Sequence, residues 1–234
     1  MTSGRSPSSP SVADHVRSVA AALQAPRRPE RGRLPLGNRR DPLDELLFIL
    51  LTTMTQYGAV ETFRRVKAEF RPWRRLLEPD AEERLKALIA PLGLSNQKAP
   101  RVVAVARRLQ EDFSAVTLAP LRRMSDDAAE SYLRSLPGVG VKVARCVLMY
   151  SLGRDVCPVD THVYRVARRT GLVEGDISYL QAHEAVQDAV PPELRYEVHV
   201  AFVQLGRDIC GARRPDCGRC PLAQAGLCEG HRTR

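Results

Sequence analysis

Apolar residues recur at the three- and four-residue spacing of a helix along almost the whole chain. No stretch alternates β-branched residues as a half-buried strand would. Val12, Val16, Val19 and Leu23 fall on one face of a first short helix. A second is predicted to open at Asp41-Pro42, an N-cap with proline in the first turn, and to run through DPLDELLFILLTTMTQ. Helical patterns then cover 58–70, 80–90, 97–113, 126–135, 141–152, 161–171, 178–190 and 193–209, with Ser95 and Ser125 as predicted N-caps for two of them. The expectation is an all-α fold.

The chain has 234 residues, enough for one or two domains with a real core. Its longest apolar run, LLFILL at 46–51, is too short to span a membrane, and the opening MTSGRSPSSPSV lacks the apolar core of a secretory signal. A cytoplasmic protein, nucleoid-associated in a bacterium, is the expectation. Net charge is +9 and the pI about 9.6, an excess that points to a polyanion such as nucleic acid. Charge alone leaves open an Arg-rich solvated face.

Of the 36 basic residues only four are lysines: Lys67, Lys86, Lys98 and Lys142. Lys142 sits in LPGVGVKVA, directly after a Pro-Gly-x-Gly turn that joins two helical patterns as a helix–hairpin–helix. Gly138 and Gly140, on either side of Val139, permit positive φ and close backbone approach, and the amides of such a turn suit a phosphate oxygen. A plain interhelical turn with a glycine C-cap is the competing reading.

VDTHVYRV follows at 159–166. A helix over 141–152 rises roughly 18 Å, and residues 154–159, if extended, return roughly 20 Å. Asp160 is therefore expected close to Lys142, an amine and a carboxylate at the mouth of the turn. Asp160 also reads as the N-cap of the next helix.

Cys210, Cys217, Cys220 and Cys228 crowd the last 25 residues, in the spacing Cys-x6-Cys-x2-Cys-x7-Cys. Four clustered thiols in a chain expected to stay inside the cell point to metal, and the spacing admits zinc or an iron–sulfur cluster. Cys146 and Cys157 read as buried structural thiols, and His162 as a helix-start residue.

LPGVGVKVA followed by VDTHVYRV resembles the endonuclease III family of helix–hairpin–helix DNA glycosylases, over about residues 41–230. The resemblance implies two helical domains flanking a DNA-binding cleft. The Ser/Pro-rich residues 1–11 read by composition as a disordered tail, and 12–40 as an N-terminal helix and Pro/Arg linker, which the resemblance joins to the cluster domain. Residues 41–152 would form a helical barrel carrying the hairpin, and 153–234 the cluster domain. It implies Lys142 as nucleophile, Asp160 as essential carboxylate, and a four-iron, four-sulfur cluster on Cys210, Cys217, Cys220 and Cys228. The last spacing is two residues longer than is usual there. Arg213 and Arg214 resemble the family's phosphate-facing basic residues.

In PLGLSNQKAPRV, Leu94 matches the family's wedge into the duplex, with a core leucine as the alternative. Met54 stands where the family commonly has a glutamine that fills the gap left by the extruded base; methionine fills but cannot pair. The expected activity is a bifunctional glycosylase and abasic-site lyase on oxidised pyrimidines in double-stranded DNA, working as a monomer. The alternatives are a monofunctional glycosylase on mismatched or alkylated bases and a non-catalytic, cluster-bearing DNA-binding protein.

Overall fold

A computed structural model describes residues 11–30, 32–53, 58–175 and 177–228. In chain order the helices are α1 (Val12–Ala22), α2 (Pro42–Thr52), α3 (Ala59–Phe70), α4 (Ala81–Ile89), α5 (Ser95–Phe113) and α6 (Asp126–Ser135). They continue with α7 (Val141–Cys146), α8 (Thr161–Arg169), α9 (Tyr179–Ala189), α10 (Arg195–Asp208) and α11 (Pro221–Gln224). Short 3-10 turns link several of them, and the described residues contain no β-strand. The fold is all-α, as the periodicity predicts.

Two compact units share the chain: Gly32–Arg154, and Met1–Arg31 together with Asp155–Arg234. In the first, Asp41 caps α2 by accepting from the Asp44 amide at 2.9 Å, with Pro42 in the first turn. The wholly buried side chains of Leu46, Leu47, Leu51, Phe70, Leu85 and Leu109 make its core, each contributing about 1.5–3 kcal/mol by leaving water. Two acids, Asp44 and Glu45, are buried with them. Asp44 accepts from Lys67, from Arg71 at 2.6 Å and from the Trp73 indole at 2.8 Å. Burial alone would push its carboxyl up, but these bonds and charges outweigh it and hold the group below the ordinary value.

In the second unit α8 packs on α10, and α1 packs on α9, α10 and α11. Val16, Val19, Val163, Val186, Val198 and Phe202 are fully buried there.

Two local expectations need correction. Ser125 does cap α6, accepting from the Ala128 amide, but Ser95 is the first residue of α5 rather than its cap. The cap position belongs to Leu94, because the chain turns through two left-handed residues, Gly93 (φ +71°) and Leu94 (φ +56°). The helix expected over 141–152 is regular only to Cys146. It widens into a π-turn over Val147–Leu152 and stops at Gly153, φ +78°.

Candidate functional site

The hairpin forms because α6 ends at Ser135, with Leu136 as its cap, and Gly138 supplies the left-handed turn, φ +78°, that a β-carbon would resist. The Val139 amide donates to the Leu136 carbonyl at 3.2 Å, and the Val139 side chain is buried beneath the turn. Gly140 does not use positive φ as expected. It is extended, φ −94°, and caps α7, with the Ala144 amide donating to its carbonyl at 3.0 Å. A β-carbon on Gly140 would meet nothing within 4 Å, so this side of the turn is open to a close approach. On Gly138 a β-carbon would meet Arg101 Cδ at 3.0 Å.

Lys142 is the second residue of α7 and half-buried. Helix α7 packs against α2, which carries a residue that sequence reasoning missed. Glu45 is completely buried, and its carboxylate accepts from the Asn38 side chain and, at 2.6 Å, from the Arg39 amide. Burial pushes the Glu45 carboxyl up, opposed by those two bonds and by the charges of Lys142 and Arg39. The acid pair Asp44-Glu45 opening the apolar run DELLFILL was the available signal. The same α2 also carries Phe48, whose ring lies 4.3 Å beneath the Arg39 guanidinium.

Leu94 is no core residue: 46% of it is exposed, at the head of α5. Its carbonyl accepts from the Gln97 and Lys98 amides, both at 2.9 Å. Lys98 is buried below, with Nζ donating to the Leu92 carbonyl at 3.2 Å, and burial pushes its ammonium down. Met54 lies outside the described residues.

Asp160 belongs to the other unit, where it caps α8. Its Oδ1 accepts from the His162 amide at 2.9 Å and the Val163 amide at 2.8 Å. Among the described residues Oδ2 accepts no further bond. His162 is a helix-start residue, its ring nitrogen Nδ1 3.0 Å from Arg165 Nη2 and its β-carbon packed against Gly206.

Cys210, Cys217, Cys220 and Cys228 line one cavity, together with Arg169 and Asp216. None of the six cysteines, all among the described residues, is in a disulfide, and Cys146 and Cys157 are buried elsewhere, as expected of structural thiols. Among the described residues no three Cys, His, Asp or Glu side chains gather closely enough to hold a single metal ion. The donor set lining the cavity is four thiols, the ligand type of zinc sites and of iron–sulfur clusters. Arg213 and Arg214 are exposed on the loop between the first two cysteines.

Residues 49–192 match the family described as HhH-GPD superfamily base excision DNA repair protein. Endonuclease III of Rickettsia conorii is 37% identical over 143 residues, 61% of this chain and 63% of that protein. The match thus spans less than two thirds of the Rickettsia protein's length. Endonuclease III of Thermotoga maritima is 30% identical over 203 residues, 86% of this chain and 90% of that one. Among solved structures, a trapped endonuclease III–DNA covalent intermediate superposes with a TM-score of 0.72 at 25% identity, covering 94% of this chain and 98% of that one. No helix among the described residues is long and apolar enough to cross a membrane.

Proposed function

Because the chain belongs to the HhH-GPD superfamily of base excision DNA repair proteins, we propose that it is a bifunctional DNA glycosylase and abasic-site lyase acting on oxidised pyrimidines in duplex DNA. One observation carries this reading. In a chain that otherwise prefers arginine, a lysine occupies the second position of α7, directly after the Gly138–Gly140 turn. An arginine there would hold a phosphate equally well, but its guanidinium stays protonated and is no nucleophile.

The chemistry follows from the amine. The target nucleotide leaves the base stack, because C1′ of a stacked base cannot be reached. The lone pair of neutral Lys142 Nζ forms a bond to C1′ as the glycosidic bond breaks, and the base departs with the electron pair of the broken bond and takes up a proton. Loss of the amine proton and opening of the sugar ring give an imine. Removal of a C2′ proton then expels the 3′ phosphate and nicks the strand. Asp160, held by the two α8 amides on Oδ1, offers its carboxylate to the positive charge that develops on the sugar. The relatives named endonuclease III, and the covalent DNA intermediate trapped on one such protein, support this reading.

Cys210, Cys217, Cys220 and Cys228 would hold a four-iron, four-sulfur cluster. When bound it supplies a cross-link that folds the 210–228 loop, so that Arg213 and Arg214 face DNA phosphates. The open flank of Gly140 and the exposed Leu94 would serve the same duplex, one on its backbone and one as the wedge. Met54 would fill the gap without pairing. The protein would act as a monomer in the compartment that holds the DNA.

A nicking assay on single-lesion duplexes tests the reading. Oxidised pyrimidines should be incised, with β-elimination ends, in preference to mismatched and alkylated bases. Base release without a nick would make the enzyme monofunctional. Binding with no release from any lesion would make it a non-catalytic DNA-binding protein.

A further inference from the structure

Where the chain leaves α10 it exposes three successive carbonyls, those of Cys210, Gly211 and Ala212, toward α8. Two arginines of α8, spaced four residues apart and so on one face, take all three. Arg165 Nε donates to the Cys210 carbonyl at 2.8 Å. Arg169 Nη1 donates to the Gly211 carbonyl at 2.9 Å, and Nη2 to the Ala212 carbonyl at 3.1 Å. The same Nη1 also donates to the Cys210 sulfur, at 2.9 Å. Arg169 is thus a wall of the cavity that the four cysteines line. The loop it grips is tight: a β-carbon on Gly211 would come within 2.9 Å of the Arg214 carbonyl.

We propose that Arg169 is the positioning residue for Cys210: its forked guanidinium fixes the loop and one ligand sulfur together, so that retention and reduction potential of the cluster depend on it. The proposal rests on the cluster reading above. Retention follows because Cys210, at the helix end, is the anchor from which the other three thiols are reached. The potential follows because an N–H donor and a positive charge at a ligand sulfur favour the more electron-rich reduced state. The fork is required: one arm holds sulfur and the Gly211 carbonyl, the other the Ala212 carbonyl, whereas a lysine ammonium is a single point.

The test uses the full-length protein as wild type, Arg169→Lys and Arg169→Met. Iron per chain, the broad visible absorption, and its decay in a ferrous-iron chelator are followed, with far-UV circular dichroism reporting helix content. Arg169→Met should release iron at least five times faster than wild type at unchanged helix content. Arg169→Lys should restore less than half of the difference, and in both loaded variants the midpoint potential should move negative. Should Arg169→Met fail to fold, the lysine variant carries the same comparison. Wild-type iron release and an unshifted potential in the variants would overturn the role of Arg169. A wild-type protein without iron would instead overturn the cluster reading itself.

Discussion

The Leu94 carbonyl accepts the Lys98 amide at 2.9 Å, while the Leu94 side chain stands 46% exposed and that of Lys98 is buried beneath it. One turn of helix therefore presents an apolar side chain outward on a polar anchor. Such a leucine contributes little to the fold and is available to a partner.

Leu94→Ala should change stability by no more than about 0.5 kcal/mol, as for other exposed sites. Incision of a lesion in duplex DNA should fall on the order of tenfold, because unstacking a base step costs a few kcal/mol that the wedge helps to offset. Cleavage of an abasic site in single-stranded DNA should be unaffected. Equal losses on both substrates would mean that Leu94 is no wedge.

The two glycines of the hairpin should separate. Gly138→Ala forces a β-carbon into φ +78° and against Arg101, so it should cost about 1–2 kcal/mol in urea unfolding. Gly140→Ala meets nothing within 4 Å at φ −94° and should leave stability unchanged. Duplex binding should nonetheless weaken several-fold, because the new methyl group occupies the approach to the turn. Full affinity in Gly140→Ala would place the DNA backbone elsewhere.

How much of this was legible in the sequence differs from residue to residue. The hairpin, with Lys142 at the second position of the helix after it, could be read because the pattern is local: helix, glycine turn, helix. The four cysteines could be read for the same reason, since one short stretch holds them all. The cap of α5 was misread because serine is the commoner N-cap, and only the geometry shows Leu94 turned left-handed. Glu45 was overlooked despite the apolar run beside it, because elements packed against α2, α7 among them, lie far along the chain. The grip of Arg165 and Arg169 on the cysteine loop was invisible likewise. Two arginines four apart look like any solvated helix face until the helix opposite is known.

Asp44 makes stability depend on pH. Its folded-state carboxyl lies below the ordinary value, so its contribution is complete above the usual carboxylate range and is lost as pH falls through the folded value. Asp44→Asn should cost about 1.5–3 kcal/mol at pH 7, the range for hydrogen bonds to a charged group. The gap to wild type should shrink below about pH 4. Urea unfolding at both pH values reads it, and a gap that is the same at both would show that the ion pairs with Lys67 and Arg71 carry none of it.

Lys142 carries the account, and borohydride trapping tests it most directly. Wild-type protein reacting with an abasic duplex should be captured as a covalent protein–DNA adduct, because reduction fixes the imine at C1′. Lys142→Arg keeps the charge beside the turn and should bind the same duplex with little loss, yet give no adduct and no nick. An arginine variant that is still trapped, and still nicks at the wild-type rate, would place the nucleophile at another amine and contradict the mechanism.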